Sequence, residues 1–394
     1  MTLLEVQSHL IQSGESLLSL LSFRLFPFAV WLVCGAPIAL RSKLGLAVLY
    51  VALAAAARPQ PSYLIDLLFV GSYYVAAAIG LHYLAPRMGK VEVAGGALMV
   101  ALAAAFLLVP SLILSGDTSR TLLLLPGWDL MLKGYGYLRD APKSDSRPHI
   151  QESLFFLLVN PVLVYSERGN RIGDAAIDRR GLVRALGGIL AIGLAIAALM
   201  PLAAIIRDAP EQLLGVAETP MTLALFGVVQ LLGGYAAHSG LASVQIGMML
   251  QLGYRIPERY NYPLLARTPM EFWQRWNTYV GSWAKRYIFV PITLDRRWRK
   301  ANRLALGKAT GFFLAFVGVG LLHDLSTLAS NDVVQINWTI LFTAAALYAG
   351  AWYALERVLT RVGSRLDIKV RALSGVLGRS ALAVCLIAGT AVWS

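Results

Sequence analysis

Charged residues are scarce in this sequence of 394 residues, since Asp, Glu, Lys and Arg together make up only 14% of it. In a soluble domain about a quarter of the residues are charged. Hydrophobic residues reach 57%, and several apolar runs approach the roughly 20 residues that a membrane-spanning helix needs. We therefore predict an all-α polytopic membrane protein in which residues 1–394 form a single domain embedded in a lipid bilayer.

Cysteine is also scarce, and the common catalytic motifs are absent. The two cysteines, Cys34 and Cys385, both lie in apolar runs, which excludes a disulfide framework and a zinc site of the usual spacing. The sequence has no Gly-x-Ser-x-Gly, P-loop, Cys-x-x-Cys or His-Glu-x-x-His motif, which disfavours a serine hydrolase or an ATP-driven pump. We expect no metal and no tightly bound cofactor.

The net charge of +13 does not indicate nucleic-acid binding, because the basic residues lie in short loops between apolar runs. Such loops face the cytoplasm under the positive-inside rule. The rule places loops 166–184, 294–308 and 357–371 in the cytoplasm. The alternate loops, 207–220 and 326–335, carry a single basic residue and lie on the other side.

The apolar runs predict about 10–11 transmembrane helices, with re-entrant or interfacial helices between them. Residues 2–24 are mixed in character and predict an amphipathic approach to the membrane. Residues 150–166 are apolar, but both flanks are cytoplasmic and Asn160-Pro161 interrupts the middle, which favours a re-entrant or buried interfacial segment. The candidate spans lie at about 25–40, 44–57, 62–84, 92–114, 121–138, 183–206, 221–253, 309–325, 336–356 and 378–394.

The most informative stretch is residues 268–291, which mixes three tryptophans, two tyrosines and two phenylalanines with a few charged residues. On a continuous helix the aromatic residues fall on one side. Thr268 caps the start of this helix, and Pro269 suits its first turn. Glu271 can pair with Arg275 one turn later, and Pro291 ends the helix. The residue pattern alone leaves an interfacial anchor helix open as the interpretation, since Trp and Tyr are enriched at membrane interfaces.

This stretch resembles the signature of the membrane-bound O-acyltransferase family. The bacterial members carry Phe-Trp-Arg-Arg-Trp-His, then Ser-Trp, Arg-Asp-Tyr and a proline. This chain has Phe272-Trp-Gln-Arg-Trp-Asn277, Ser282-Trp283, Lys285-Arg-Tyr287 and Pro291. The upstream segment 252–264 is also similar, as are two shorter runs at 134–140 and 160–165. The resemblance covers about residues 120–350 and is strongest to the membrane proteins of alginate O-acetylation and teichoic acid D-alanylation.

His323 is the strongest candidate for chemistry. It follows the charge-free run 309–322, and an ionisable residue inside a membrane is a functional candidate by default. An interfacial histidine at the outer boundary is the alternative. The family carries Gly-Leu-Trp-His-Gly one helix after the signature, and this chain has Gly320-Leu-Leu-His-Asp324 there. The resemblance implies that His323 is the general base, while Leu322 and Asp324 depart from the pattern and alter the pocket beside it.

Asn277 stands where the family has histidine or asparagine. An asparagine cannot act as a base, but its amide can hold an acyl carbonyl or orient the acceptor. A helix-packing amide is the alternative. The resemblance further implies that five residues line the substrate site: Trp273, Arg275 and Trp276 of the signature, and His238 and Ser239 of a polar run within an apolar helix.

For His238 a structural role is the alternative, and for the nearby Ser243 and Gln245 ordinary hydrogen bonds between helices are at least as well favoured. His82 and His149 lie near predicted span boundaries and are expected to be interfacial.

The resemblance implies an acyltransferase that moves an acyl group from a thioester, either acyl-CoA or an acyl carrier protein, to a hydroxyl. A cell-envelope polysaccharide or polymer is the first expected acceptor, in the cell (inner or plasma) membrane, with an extracytoplasmic transferase as a partner. A lipid or small amphiphile is the second, which Asn277 favours. A catalytically inactive scaffold or a transporter is the third alternative.

Overall fold

The computed structural model describes residues 61–88, 95–109, 117–143, 148–173, 178–208, 211, 219–300, 303–331 and 336–366. The predicted segments at 2–24, 25–40, 44–57 and 378–394 lie outside these residues. Within them the architecture is almost entirely helical, which confirms the predicted all-α class.

The first half of the described chain contains six α-helical segments, some of which continue into π-helical turns. Their bounds are α1 Pro61–Met88, α2 Gly95–Ala103 with a π turn at Ala104–Leu108, α3 Asp117–Asp140, α4 Ile150–Leu154 with a π turn at Phe155–Val159, α5 Arg179–Leu194 with a π turn at Ala195–Leu199, and α6 Met200–Asp208.

The second half holds the predicted signature and the histidine helix. Its bounds are α7 Pro220–Gln251, α8 Pro269–Arg275, α9 Thr278–Ala284 with a π turn at Lys285–Phe289, α10 Val290–Thr293, α11 Arg296–Lys300, α12 Leu304–Asn331 and α13 Asn337–Leu366. Three 3₁₀ turns occur in the described chain, at Ala141–Lys143, Tyr165–Glu167 and Pro263–Leu265.

Four helices of the described chain are long and apolar enough to cross a membrane. They are Arg179–Asp208, Pro220–Gln251, Leu304–Leu325 and Asn337–Val358, and each matches a predicted span to within about five residues. The helix at the predicted span 221–253 is continuous from Pro220 to Gln251. The total of about 10–11 spans stays a prediction, because several candidate spans lie outside the described residues.

Helices α5 and α7 pack against each other through glycine. A Cβ atom built on Gly188 would lie 2.5 Å from the Gly240 carbonyl oxygen, and one on Gly240 would lie 2.7 Å from the Gly188 oxygen. Gly181 and Gly247 repeat this reciprocal contact two turns away. The opposite face of α5 exposes leucine, isoleucine and valine side chains, a surface suited to lipid.

The segment 150–166 is interrupted as predicted. Its helical part ends at Val159, and the backbone of the next residue, Asn160, is extended with φ −67° and ψ 125°. The Asn160 side chain accepts a hydrogen bond from the Val162 amide at 3.0 Å and donates one to the Arg168 carbonyl at 2.5 Å. Residues 160–165 are buried, so the broken backbone lies within protein.

A short antiparallel pair supports the loop that follows this segment. Strand β1 is Asn170–Arg171 and strand β2 is Tyr254–Arg255, with Asn170 opposite Arg255 and Arg171 opposite Tyr254. The pairing attaches the predicted cytoplasmic loop 166–184 to the end of α7. It therefore fixes the start of the segment that leads into the aromatic signature.

Candidate active site

His323 lies within α12, eight residues before the helix ends at Asn331. Its Nδ1 lies 2.8 Å from the carbonyl oxygen of Val319, one turn earlier in the same helix. A carbonyl oxygen can only accept, so Nδ1 donates and a neutral ring carries its lone pair on Nε2. This hydrogen bond holds the imidazole in the tautomer that a general base requires.

Three aromatic rings surround the imidazole. The ring centroid of Trp128, on α3, lies 5.0 Å from that of His323. The ring centroids of Trp338 and Phe342, both on α13, lie 4.8 and 5.3 Å from that of His323. These rings limit the access of water to the imidazole and offer apolar contact surface to a bound acyl group.

Trp273 of the signature reaches the same group through Phe342. Its ring centroid lies 5.6 Å from that of Phe342 and 5.4 Å from that of Phe316. Phe342 therefore contacts both His323 and Trp273. The structure brings the predicted base and this predicted substrate-binding residue together, although they are 50 positions apart in the sequence.

The continuous helix predicted for 268–291 is wrong, because the chain breaks at Asn277. Helix α8 ends at Arg275, Asn277 adopts the left-handed conformation with φ 37° and ψ 63°, and α9 begins at Thr278. Periodicity does not reveal such a residue, although asparagine tolerates this conformation better than most. The arc of aromatic residues drawn on one helix is therefore divided between two.

The proline at the end of the signature does not stop the helix either. A π-helical turn at Lys285–Phe289 leads into α10, and Pro291 occupies its first turn. The missing N–H of proline is tolerated in that position. At the other end, the Thr268 hydroxyl accepts a hydrogen bond from the Glu271 amide at 3.1 Å, which confirms the predicted cap.

The Asn277 side chain is held by Arg259. The Arg259 Nε donates to the Asn277 Oδ1 at 3.1 Å. The neighbouring backbone is tied as well, since the Thr278 amide donates to the Arg259 carbonyl at 2.8 Å and the Tyr279 hydroxyl donates to the Pro257 carbonyl at 2.7 Å. With its oxygen engaged by the guanidinium, the amide presents its NH₂ group as a donor on the opposite side.

Two other signature residues have mainly structural contacts. Trp276 packs against Phe272, Tyr260 and Tyr235, with ring centroids 5.3–6.1 Å away. Arg275 forms the predicted ion pair with Glu271, at 2.6 Å between Nη2 and Oε1. Part of the Arg275 charge is thereby compensated inside the protein.

His238 and Ser239 lie on α7. The imidazole of His238 is exposed, and its Nδ1 lies 2.8 Å from the Gly234 carbonyl of the same helix. Ser239 is half-buried. Their helix reaches the signature through the contact of Tyr235 with Trp276, but the described contacts do not bring either residue into the group around His323.

Two polar clusters are clearer in the structure than in the sequence. The Asp140 carboxylate accepts hydrogen bonds from Arg286 at 2.8 Å and from the Tyr287 hydroxyl at 2.6 Å, while the Trp283 Nε1 donates to the Leu132 carbonyl at 2.9 Å. In the sequence, only the short similarity of residues 134–140 to the family had drawn attention to Asp140. The charge of Arg286 is thus partly compensated inside the protein.

The second cluster corrects the expectation that His82 is interfacial. His82 is buried, with Nδ1 2.8 Å from the Ser153 hydroxyl and 3.3 Å from the Tyr137 hydroxyl. The two hydroxyls lie 2.7 Å apart. Ser153 and Tyr137 are almost completely buried, so this network joins α1, α3 and α4 inside the core. His149, by contrast, is exposed and caps α4.

Among the residues that the structure describes, no group of three or more His, Cys, Asp or Glu side chains could hold a metal ion.

The chain is similar in sequence to three kinds of curated bacterial proteins. It is 28% identical over 127 residues to the Probable alginate O-acetylase AlgI of Azotobacter vinelandii, which covers 32% of this chain and 21% of that protein. It is 29% identical over 91 residues to the Teichoic acid D-alanyltransferase of Bacillus subtilis, which covers 22% of each.

The third similarity is to the Peptidoglycan O-acetyltransferase of Helicobacter pylori, with 24% identity over 162 residues, 38% of this chain and 31% of that protein. No family model matches the chain. The matched regions thus span between about a fifth and a third of the relatives' lengths. These similarities confirm the resemblance of the chain to bacterial membrane-bound O-acyltransferases.

Proposed function

We propose that this protein is a membrane O-acyltransferase that moves an acyl group from a thioester donor to a hydroxyl of a cell-envelope polysaccharide or polymer. The observation that carries the proposal is the setting of His323. Its Nδ1 is engaged by the Val319 carbonyl, its ring lies among Trp128, Trp338 and Phe342, and Phe342 also contacts Trp273 of the signature. The names of the related proteins support acyl transfer to envelope polymers.

In this mechanism Nε2 of His323 takes the proton from the acceptor hydroxyl. The hydroxyl oxygen then forms a bond to the thioester carbonyl carbon. The negative charge that develops on the carbonyl oxygen is stabilised by the NH₂ group of Asn277, which Arg259 orients. When the tetrahedral intermediate collapses, the carbon–sulfur bond breaks and the thiolate takes the proton from the imidazolium.

The donor is acyl-CoA or an acyl carrier protein that arrives from the cytoplasm. Exposed basic side chains near the signature, including Lys285, Arg296, Arg297, Lys300 and Arg303, supply positive charge for the phosphate groups of either donor. In this proposal the protein works in the cell (inner or plasma) membrane, and an extracytoplasmic transferase receives or positions the polymer. A lipid or small amphiphile is the second candidate acceptor, and the amide at position 277 favours it through the family resemblance.

The test is thioester turnover by the purified protein in detergent, with a panel of short and long acyl-CoAs and with His323→Ala as the paired variant. We expect release of free thiol that falls by about 100-fold or more in the variant, the usual contribution of a general base. Equal thiol release by the folded variant would contradict the assignment of His323. The acyl chain preferred by the wild type separates acetyl-type donors from lipid-type donors.

A second arm supplies an acyl carrier protein in place of acyl-CoA, with an envelope polysaccharide fraction or a lipid as the acceptor. Transfer to the polysaccharide supports the first acceptor, and transfer to the lipid without partners supports the second. Absence of turnover with every donor and acceptor would favour the inactive scaffold.

A further inference from the structure

The start of helix α13 lacks a side-chain cap of its own. The residue before the helix is Ile336. Its carbonyl oxygen accepts the first hydrogen bond of the helix, from the Ile340 amide at 3.0 Å. An isoleucine side chain has no acceptor, whereas the first amides of a helix have no partner within the helix. The amides of Trp338 and Thr339 therefore need acceptors from elsewhere.

Asp324 of the preceding helix supplies both acceptors. Its Oδ1 accepts from the Trp338 amide at 2.9 Å and its Oδ2 accepts from the Thr339 amide at 2.9 Å. The residue is buried, with 7% of its surface exposed. A carboxylate that bonds two amides at a helix N-terminus is a favourable arrangement, because the helix dipole attracts negative charge.

Gly320, one turn before Asp324, allows the two helices to approach at this point. A Cβ atom built on Gly320 would lie 2.7 Å from the Thr339 Cα. The close backbone contact and the two hydrogen bonds thus involve the same two neighbouring residues of α13, Trp338 and Thr339. Together they determine where α13 starts relative to α12.

The position of α13 in turn determines where the aromatic rings of Trp338 and Phe342 lie around His323. Trp338 has its amide bonded to Asp324 and its ring centroid 4.8 Å from that of His323. Phe342, one turn further along, lies 5.3 Å from His323 and 5.6 Å from Trp273. Any shift of the first turn of α13 would move both rings relative to the imidazole.

We propose that Asp324 is a positioning residue for His323: by holding the first turn of α13, it keeps Trp338 and Phe342 in place around the imidazole. The inference rests on the proposed role of His323 as a base. It also explains the departure from the family pattern at this position, because the carboxylate has a defined structural task beside the histidine.

The experiment compares Asp324→Ala and Asp324→Asn with the wild type in detergent. Alanine removes both acceptors and retains a good helix former, while asparagine is nearly isosteric and keeps one acceptor oxygen. Asp208→Asn is the matched control, since Asp208 is an exposed aspartate paired with Arg207 at the end of α6. Thiol release gives kcat and KM, and mass spectrometry gives the rate at which diethyl pyrocarbonate modifies His323.

We expect kcat to fall by about tenfold or more in Asp324→Ala with KM changed less than about threefold, since small displacements of reacting groups cost rate rather than binding. The rate of His323 modification should rise severalfold, because Trp338 and Phe342 would be held less firmly and would shield the imidazole less. Asparagine should have an intermediate effect, and it replaces the alanine variant if the latter does not fold. The control should match the wild type in both measurements.

The two readouts separate this inference from the proposed function. If the wild type releases no thiol, the proposed function fails, and the rate of His323 modification still decides whether Asp324 positions the ring. If both Asp324 variants match the wild type in kcat and in His323 modification, the positioning role is overturned. A lower melting temperature with both values unchanged would likewise overturn it, since Asp324 would then only stabilise the fold.

Discussion

The helix pair α5–α7 and the region around His323 are built in opposite ways. In the pair, glycines bring backbone against backbone, and the outer face of α5 exposes aliphatic side chains. Around His323, large rings from α3, α8, α12 and α13 fill the space between the helices. In the first region a missing side chain determines the packing, whereas in the second the side chains themselves determine which groups meet.

The comparison teaches where substitutions should affect folding and where they should affect chemistry. Contacts between backbones leave little freedom, so an added atom in α5–α7 must displace a helix. Contacts between rings tolerate small rearrangements but determine the surroundings of the imidazole. The predictions below test this contrast, starting with the largest expected effect.

The largest effect is expected from Gly188→Val, which should prevent recovery of folded protein. The new Cβ would lie 2.5 Å from the Gly240 carbonyl oxygen and 2.9 Å from the Val244 amide nitrogen, and backbone atoms cannot move aside as a side chain can. Overpacking costs about 1–3 kcal/mol even where side chains can adjust. The measurement is the yield of monodisperse protein and its melting temperature in detergent.

Gly187→Val is the matched control, because nothing lies within 4 Å of a Cβ atom at Gly187. It introduces the same branched side chain at the adjacent position of the same helix. If both variants lose stability equally, helix propensity rather than the glycine contact explains the loss.

The second prediction concerns the amide at position 277. Asn277→Gly should leave the protein folded, since glycine adopts the left-handed backbone observed there, yet it should lower kcat by about 100-fold, the usual effect of losing one oxyanion donor. The measurement is thiol release together with the melting temperature.

Asn277→Ala completes the test of this position. Alanine removes the amide and also strains the backbone, so it should lower both kcat and the melting temperature. Full activity of the glycine variant would show that Asn277 is needed only for its backbone conformation, and that the proposed oxyanion role of its amide is wrong.

The smallest effect is a pH dependence of stability from Glu271. The Arg267 amide hydrogen bond, followed by the Arg275 side chain, holds the pKa of this carboxyl below its ordinary value. A group whose pKa is lower in the folded state stabilises the protein above its unfolded pKa, and this stabilisation is lost as the pH falls through the folded pKa. The melting temperature of Glu271→Gln should therefore fall less on acidification than that of the wild type.

The measurement is the melting temperature between neutral pH and about pH 3, below the ordinary pKa of glutamate. Equal acid sensitivity of the wild type and the variant would show that the Glu271 carboxylate contributes nothing to this pH dependence.

The apolar runs allowed most of the described helices to be predicted, because uninterrupted hydrophobic length is the dominant signal of a membrane helix. Thr268 and the pair Glu271–Arg275 were also predictable, since both are contacts between residues three or four apart. The interruption at Asn160 followed from the Asn-Pro pair. These features are local, and the pattern of neighbouring residues determines them.

The features that sequence reasoning missed depend on contacts between distant residues or on one backbone angle. The break at Asn277 needs a positive φ that no periodicity reveals. The burial of His82 depends on Ser153, 71 positions away, and Asp140 meets Arg286 across 146 positions. Asp324 carries no local sign that its partners are two amides of the next helix.

The left-handed backbone at Asn277 also limits what this position can reveal in other sequences. Only glycine, asparagine and a few other residues accept such an angle readily. The backbone conformation therefore limits the residue types at this position, whether or not the side chain takes part in the reaction. A related chain that had lost its activity would still be expected to carry one of them. When active members are separated from inactive ones by sequence, the residue aligned with His323 is therefore informative. At the position aligned with Asn277, tolerance of the angle marks the fold, and only a side-chain donor marks the proposed chemistry.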